Sequence, residues 1–193
     1  MDPLHPITRF KREYAKAAQS EHFDASRCAL ATVGLDGQPS LRFVLLKGVD
    51  ETGFRFFTNY GSRKALEIAA DPRVALCFHW HTTGQQVRVE GVARRVSTAE
   101  SELYFHSRPR GSQLGAWASA QSQPVQQWDE LSESLQAVES RFSEGVVPLP
   151  AFWGGYRVQP TLIEFWRDGD DRMHRREAFT AREDGWSVQR LWP

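Results

Sequence analysis

The sequence has few of the features that mark secreted or membrane-spanning proteins. Its 193 residues include two cysteines, Cys28 and Cys77, and each lies in an apolar run, so buried, reduced thiols are the expected state. No run approaches the ~20 apolar residues of a membrane span. The start of the chain lacks the apolar centre of a signal peptide. These absences predict a cytoplasmic protein that makes no membrane contact.

Other missing motifs exclude several common types of nucleotide-binding and metal site. The sequence contains no GxGxxG fingerprint, no Walker A motif and no Cys/His metal spacing. His79 and His81 share one face of a predicted strand, but no third ligand follows nearby, so we expect no metal. The 24 basic and 24 acidic residues give a formal net charge of zero. A broad nucleic-acid surface needs a basic field, so we expect no nucleic-acid partner.

Aromatic residues are abundant, with seven Trp and twelve Phe. Large aromatics suit a β-rich core, an interface, or a pocket for a flat ligand. Hydrophobic residues make up 40% and charged residues 25% of the chain, which is typical of a globular protein. The length predicts one domain over residues 1–193.

The hydrophobic patterns predict strands joined mostly by hairpins, with helices between them. The predicted strands are 28–33, 40–47, 54–58, 74–80, 86–93, 155–166, 172–180 and 186–191. The predicted helices are 7–20, 62–70, 98 to just before Pro109, 112–119, and about 124–142. Apolar residues recur every three or four positions in 7–20, which predicts an amphipathic helix, and residues 97–100 match a capping box. A turn through Asp50 and Gly53 is predicted before the third strand. Residues 43–46 are apolar on both faces, so we expect that strand to be central. The fold class is therefore mainly β with inserted helices (α+β), arranged as an antiparallel barrel.

The segment Phe57–Lys64 has the pattern of a phosphate-binding turn. A predicted strand ends, Gly61 turns the chain, and a helix begins at Ser62 with Arg63 and Lys64 in its first turn. Helix N-termini favour anions and usually carry acidic residues, so two cations there indicate a dianion between them and the free backbone N–H groups. The alternative is a solvated helix start that is basic by chance.

Further polar residues extend this candidate site. Arg42 and Lys47 bracket the apolar strand, and a hairpin could bring them to the helix start. Neutral hydrogen bonds could come from Thr58, Ser62, Gln86, Gln121 and Ser122. The combination suits a phosphorylated aromatic cofactor, because it offers charge for a phosphate and amides for a flat ring.

A second candidate anion site consists of Tyr104, Arg108 and Ser112. Tyr104 and Arg108 are four residues apart on a helix, so they share a face, and Ser112 follows just beyond Pro109. The alternative is an exposed arginine beside a half-buried tyrosine.

A third set is Arg172, His174 and Arg176, which would share one face of a strand. Placing three cationic or titratable groups side by side costs electrostatic free energy unless an anion binds between them. The alternative is a solvated basic edge strand.

Taken together, these segments resemble the pyridoxamine 5′-phosphate oxidase family, within the FMN-binding split-barrel superfamily. The resemblance covers nearly the whole chain from Asp2. The segments that carry it occur in the same order along the chain: Arg42–Lys47, Phe57–Asn59, Ser62–Lys64, Gln86–Gly91, Tyr104–Pro109, Ser112–Ala116, Gln121–Ser122, Trp153–Tyr156, Glu164–Trp166, Arg172–His174 and Arg190–Leu191.

The resemblance implies an antiparallel split β-barrel and a homodimer with FMN at the interface. It implies that Arg63 and Lys64 bind the FMN phosphate, and that Arg172 and His174 are catalytic residues covering the substrate's pyridine ring. The implied FMN-binding residues are Arg42, Phe43, Val44, Leu45, Leu46, Lys47, Phe57, Thr58, Arg63, Lys64, Gln86, Gln121, Ser122, Trp166 and Arg176. The implied ligands of the substrate phosphate are Lys47, Tyr104, Arg108 and Ser112.

The activity implied by the resemblance is the oxidation of pyridoxamine or pyridoxine 5′-phosphate to pyridoxal 5′-phosphate. The C4′ carbon loses a hydride to flavin N5, and O2 reoxidises the flavin to give H2O2. One alternative is a related flavin oxidase of the phenazine-biosynthesis type, acting on another substrate. Another is a non-catalytic flavin-binding protein on the same barrel.

Three departures from the family pattern concern the substrate side more than the FMN side. Arg175 stands where the family usually has Asp, and Gln85 replaces the Arg that commonly precedes Gln86. Because the chain begins at the equivalent of the family's Asp-Pro, the N-terminal Arg/Tyr segment that can fold over the substrate is also expected to be missing.

Overall fold

The computed structural model describes residues 5–193. The expectations that concern the start of the chain, from the absent signal peptide to the resemblance at Asp2, lie outside the described residues. The strands are β1 Arg27–Val33, β2 Pro39–Leu45, β3 Gly48–Asp50, β4 Gly53–Asn59, β5 Arg73–Trp80, β6 Gln85–Arg95, β7 Trp153–Arg167, β8 Arg175–Arg182 and β9 Gly185–Leu191. The helices are α1 Pro6–Ser20, α2 Arg63–Ala70, α3 Thr98–Ser107, α4 Arg110–Ala118 and α5 Asp129–Arg141, with a 3-10 turn at Asp170–Arg172.

The nine strands form one antiparallel sheet in the order β2-β1-β5-β6-β7-β4-β3, and β8 and β9 continue it from β7. The 15-residue strand β7 pairs with β4, β6 and β8, so it joins both parts of the barrel. The register of β6 against β7 shifts at Gly91, where a Cβ would lie 2.1 Å from Gln159 O. A bulge that requires glycine therefore bends the sheet at this point.

Helix α1 packs its apolar face against the core of the barrel. Phe10 is fully buried and contacts Phe54 and Phe78 edge to face, with ring centroids 4.8 and 5.0 Å apart. Such aromatic pairs add about 0.5–1.5 kcal/mol each beyond the area they bury. The structure confirms the predicted amphipathic helix and the aromatic, β-rich core.

A smaller apolar cluster lies beneath α3, α4 and α5 and consists of Phe105, Leu114, Val147 and Trp153. The start of α3 is fixed by the predicted capping box, because Ser97 Oγ accepts from Glu100 N at 3.1 Å and Glu100 Oε2 accepts from Ser97 N. This packing sets the ends of α3 and α4 beside β4.

The structure corrects the prediction of a central strand over residues 40–47. Strand β2 ends at Leu45 and lies at one edge of the sheet. Leu41 and Phe43 are 68% and 71% exposed. Apolar residues on both faces of a strand predict that other parts of the protein pack on both faces. Within the described residues of one chain, one face of β2 is left partly exposed. Large exposed apolar side chains along an edge strand indicate a surface that binds something else.

The structure also corrects the predicted strand over residues 172–180. Strand β8 begins at Arg175, while Asp171 and Arg172 have φ of 52° and 65°. Two successive residues in the left-handed region end any extended strand. Arg172, His174 and Arg176 therefore do not share one strand face.

Two smaller corrections concern element ends. Helix α5 begins at Asp129 rather than near residue 124, because Glu130 Oε1 accepts from Gln126 N and Gln127 N and so satisfies those N–H groups outside the helix. The short strand β3 occupies part of a predicted turn. Within residues 5–193, no helix combines the length and apolarity that crossing a bilayer requires.

Candidate active site

A cleft of about 470 Å³ opens between β2, β4 and the ends of α2, α3 and α4. It brings together all three residues of the predicted second anion site with four of those predicted around the helix start, Lys47, Thr58, Lys64 and Gln121. Its lining consists of Phe43, Val44, Leu45, Lys47, Phe57, Thr58, Lys64, Tyr104, Arg108, Pro109, Ser112, Gln121 and Trp153.

Lys64 points its ammonium group at neutral acceptors. Its Nζ lies 3.1 Å from Thr58 Oγ1, 3.2 Å from Ser62 Oγ and 2.9 Å from Gln121 Oε1. Burial, with repulsion from Arg42, lowers the pKa of Lys64 to about 8, although Glu67 acts in the opposite sense. No carboxylate among residues 5–193 bonds to this ammonium, so an anion in the cleft would stabilise its charged form.

Glu67 organises the two arginines of the same region. Its Oε1 accepts from Arg63 Nε at 2.8 Å, and its Oε2 accepts from Arg42 Nη2 at 3.0 Å. Thr32 and Ser40 also donate to Oε2, at 2.5 and 2.6 Å. Burial opposes ionisation, but these hydrogen bonds outweigh it and lower the pKa of Glu67 to about 2. Glu67 is therefore a fixed negative charge at neutral pH.

The charges of this cluster match a phosphate monoester. Arg42, Arg63 and Lys64 with the single carboxylate of Glu67 leave two positive charges, and a monoester carries about −1.5 to −2 at pH 7. The side chain of Ser62 donates to Asn59 O and does not cap α2. The first N–H groups of α2 are thus available to an anion.

Seven of the residues predicted to bind FMN do not line the cleft: Arg42, Leu46, Arg63, Gln86, Ser122, Trp166 and Arg176. Ser122, with φ of 70°, lines a neighbouring depression together with Arg63 and Glu67. Leu46 is 6% exposed and belongs to the barrel core, where its backbone N–H bonds to Ser26 O. The side chain of Leu46 therefore does not line the cleft.

The second anion site lies in the same cleft. The Arg108 guanidinium lies 4.8 Å from the centre of the Trp153 ring, and its Nη2 donates to Ser112 O at 2.7 Å. Its Nη1 is buried and has no partner among the described residues. The Tyr104 ring stacks on Phe57 at 4.0 Å. Burial lowers the pKa of Arg108, and a second anion beside Nη1 would offset that cost.

A further group of predicted residues lies at the other end of the sheet. Gln86, Trp166 and Arg176 are neighbours in register across β6, β7 and β8. Arg176 Nε donates to the buried Glu164 at 2.8 Å, and the His174 ring lies 4.6 Å from that of Trp166. These residues form the Trp166 row, which we define as Gln86, Trp166, His174 and Arg176.

The Trp166 row and the cleft are separate within one chain. His174 and Arg176 line a cavity of about 520 Å³ with residues of β9 and the C-terminal end. Its lining residues do not overlap with those of the cleft. Arg172 is exposed in the turn before His174. The structure of a single chain therefore brings together only part of the predicted site.

Several residues that contribute to the site were not predicted. Glu67 stands four residues after Arg63, and that spacing was the available signal. Trp153 occurs in a quoted motif but had no predicted role, although it supports Arg108. Asp24 had no sequence signal. A hydrogen bond from Ser26, together with the charges of Lys47 and Arg27, lowers the pKa of Asp24, so its negative charge acts on Lys47 although Asp24 does not itself line the cleft.

The two substitutions relative to the family pattern occupy different environments. Gln85 is buried, and its Nε2 donates to Glu13 of α1 at 3.1 Å, so it serves the barrel interior. Arg175 is exposed at the start of β8, opposite Arg167. Only Arg175 adjoins the predicted substrate residues. In the described part of the chain, no three His, Cys, Asp or Glu residues are grouped as metal ligands would be.

A family model described as pyridoxamine 5′-phosphate oxidase matches residues 15–141. The chain belongs to the pyridoxamine 5′-phosphate oxidase family. A second model, described as the pyridoxine 5′-phosphate oxidase C-terminal dimerisation region, matches residues 153–193. This region contains Trp166, His174 and Arg176, and the match supports the predicted homodimer.

Curated relatives agree over nearly the full length. A pyridoxine/pyridoxamine 5′-phosphate oxidase of Anaeromyxobacter dehalogenans is 50% identical over 188 residues, covering 97% of this chain and 95% of the relative. The protein of the same name from Rubrobacter xylanophilus is 51% identical, covering 97% and 87%. That of Myxococcus xanthus is 47% identical, covering 100% and 94%.

Solved structures confirm the predicted split barrel. PhzG from Burkholderia lata, in complex with tetrahydrophenazine-1-carboxylic acid, superposes with a TM-score of 0.92 at 29% identity, covering 100% of this chain and 94% of that one. A pyridoxamine 5′-phosphate oxidase-related, FMN-binding protein from Nostoc punctiforme has a TM-score of 0.81 at 18% identity, covering 98% and 99%. The second likeness shows the fold alone.

Proposed function

We propose that the chain is an FMN-dependent oxidase that converts pyridoxamine or pyridoxine 5′-phosphate to pyridoxal 5′-phosphate, with O2 as acceptor and H2O2 as product. Family membership confirms the predicted enzyme class and the predicted cofactor. The observation that carries the proposal is that one cleft holds two separate cationic groups that could each bind an anion, one at Lys64 and the other at Arg108. A phosphorylated cofactor beside a phosphorylated substrate needs this arrangement.

The residues around Lys64 fit FMN. The half-buried ammonium bonds only to neutral groups among residues 5–193, and Arg42 and Arg63 are bound by Glu67 of the same helix. These cations would hold the phosphate, and Thr58 and Gln121 would hold neighbouring polar atoms. When bound, FMN supplies the hydride acceptor for the oxidation and the electron donor for O2.

The residues around Arg108 would hold the substrate phosphate. Arg108 is fixed by Trp153 and Ser112 O, which leaves Nη1 as a free donor. Lys47 and Tyr104 line the same cleft, and neither Nζ nor Oη has a hydrogen-bond partner in the described chain. Charge-assisted hydrogen bonds of this kind contribute about 1.5–3 kcal/mol each. They would anchor the substrate at one end and orient the carbon to be oxidised.

The Trp166 row and Arg172 would complete the site from the partner chain. Three observations support this: the row has its own cavity, it lies in the segment matched as a dimerisation region, and β2 exposes Leu41 and Phe43 beside the cleft. His174 and Arg172 of one chain would then cover the substrate held by the cleft of the other. Each dimer would contain two composite sites.

A second candidate function is oxidation of another substrate, as in phenazine biosynthesis. The likeness to PhzG at 29% identity favours it, and so does Arg175, which adds a cation where an aromatic carboxylate could bind. The intact second anion site favours a phosphorylated substrate instead.

We further propose that the chain forms one domain, works in the cytoplasm and binds no nucleic acid.

The test begins with purified protein reconstituted with FMN. We expect stoichiometric flavin binding, and peroxide release with pyridoxine 5′-phosphate and pyridoxamine 5′-phosphate but little with unphosphorylated pyridoxine. The unphosphorylated compound is the matched control because it lacks only the group that Arg108 would bind. Flavin binding without turnover of either vitamer would refute the B6 assignment, and turnover of an aromatic carboxylate would then favour the second candidate.

A further inference from the structure

One carboxylate oxygen in the β7–β8 turn contacts both the backbone and the predicted catalytic histidine. Asp168 Oδ1 accepts from Gly169 N at 3.0 Å and lies 3.1 Å from His174 Nδ1. That ring nitrogen is buried, and although Oδ1 lies this close, no polar atom of residues 5–193 meets it in hydrogen-bond geometry. No role for Asp168 follows from the resemblance to the family or from the comparisons.

We propose that Asp168 is a positioning residue that holds His174 in the Nδ1–H tautomer. This proposal rests on the proposed function, because it assigns a task to His174 in that site. A carboxylate only accepts hydrogen bonds, so the nitrogen that faces it must carry the proton. In the neutral ring, Nε2 is then left as an acceptor.

The turn that carries Asp168 keeps it at a fixed place relative to His174. Asp168 N donates to Gly84 O at 2.8 Å, and His174 N donates to Arg172 O at 2.9 Å. A Cβ at Gly169 would lie 2.4 Å from Met173 O, so the two sides of the turn approach closely. The backbone on both sides of the contact is therefore tightly folded, while the Asp168 side chain itself is 65% exposed.

The opposite side of the ring is also restricted. Trp166 lies 4.6 Å from the His174 ring at 43°, so the imidazole is confined between an indole and a carboxylate. An acceptor at Nε2 suits a substrate whose oxidised carbon carries an O–H or N–H group, as both B6 vitamers do. The opposite tautomer would present a donor to that group and would set the Nδ1 lone pair against the Asp168 carboxylate oxygen.

The first test reads the tautomer directly in protein without FMN. In ¹⁵N-labelled protein at a pH where the ring is neutral, the His174 ring shifts should report Nδ1–H, with His174→Gln identifying the resonance. In Asp168→Ala the shifts should move towards Nε2–H. Asp170→Ala removes an equal charge from the same exposed turn and should change nothing. A wild-type ring with Nε2–H, or a tautomer unaltered in Asp168→Ala, would overturn the proposal.

The second test separates positioning from a purely structural role. Asp168→Ala should lower kcat about 10-fold or more, with FMN affinity within twofold of wild type. Asp168→Asn keeps an acceptor oxygen and should restore the tautomer and most of kcat. Loss of FMN binding in Asp168→Ala, with kcat per bound flavin unchanged, would refute positioning. If the wild-type protein oxidised no B6 vitamer, the proposed function would fail while the tautomer measurement would still judge Asp168.

Discussion

The carboxylate of Glu67 binds the guanidinium of Arg42 across 3.0 Å, although 25 residues separate them in the chain. The same carboxylate binds Arg63, four residues before it. Two cations predicted to meet a phosphate are thus held in place by one buried acid. Preorganised cations lose little side-chain entropy when an anion arrives, which favours tight binding.

Glu67→Gln should destabilise the protein without FMN by about 2–4 kcal/mol, because it leaves Arg42 partly buried beside a neutral amide. The measurement is chemical denaturation at pH 7. Glu102→Gln, at an exposed position of α3, is the matched control and should change the free energy of unfolding by less than about 0.5 kcal/mol. Equal effects of the two substitutions would show that the Glu67 network contributes nothing.

Glu67 also predicts that the free energy of unfolding decreases at acid pH. The pKa of Glu67 is lowered from 4.5 to about 2 in the folded protein, so the unfolded chain binds its proton first as the pH falls. The stabilisation is complete above about pH 4.5 and disappears between about pH 4.5 and 2. Glu67→Gln should flatten this part of the stability profile, which denaturation at a series of pH values would measure. An acid limb unchanged by the substitution would assign it to other carboxylates.

Lys64 predicts opposite pH effects on FMN binding and on stability. Burial, followed by Arg42, lowers its pKa from 10.5 to about 8, so the cation that FMN needs is lost as pH rises above about 8. The Kd for FMN should increase up to about tenfold per pH unit there. The stability of the FMN-free protein should instead rise between about pH 8 and 10.5, because only the unfolded chain still binds that proton.

Flavin fluorescence titration measures the first effect, and denaturation the second. Lys64→Met should weaken FMN binding at pH 7 and remove both pH dependences. If the variant kept the wild-type pH profile of Kd, another group would be responsible.

Arg108→Ala should weaken substrate binding and leave FMN binding unchanged. We expect kcat/KM for pyridoxine 5′-phosphate to fall about 10- to 100-fold through the loss of a charge-assisted contact, while the Kd for FMN stays within twofold. Arg94→Ala, an arginine of β6 that contacts Gln159, is the control and should alter neither value. An Arg108→Ala protein that lost FMN but kept substrate affinity would contradict the division into two sites.

Mixed dimers test the composite site. Arg108→Ala damages the cleft and His174→Ala damages the Trp166 row, so each homodimer should be weakly active. If each site uses the cleft of one chain and His174 of the other, a mixed dimer regains one intact site, and an equal mixture should recover about a quarter of wild-type activity. The double variant mixed with either single variant is the control, because no pairing of those chains provides both intact elements and activity should not recover. Absence of recovery after verified subunit exchange would place each site within one chain.

Local sequence patterns determined much of the framework. The spacing of apolar residues in α1, the capping box of Ser97 and Glu100, and the basic helix start at Arg63 and Lys64 all depend on contacts within a few residues. Such contacts are specified by the order of neighbouring residues, so they could be predicted before any folding. The ordered motifs of the family extended that prediction to the barrel and the cofactor.

Long-range packing decided the rest. Only the folded chain shows that Glu67 joins Arg42 to Arg63, that Asp171 and Arg172 prevent β8 from beginning before Arg175, and that β2 lies at an edge. The physical reason is that burial and ion pairing depend on which distant surfaces meet. The apolar side chains of β2, for example, remain exposed because no part of the described chain covers them. Sequence alone determined which chemical groups are present, and tertiary structure decided that one chain assembles them as two separate halves.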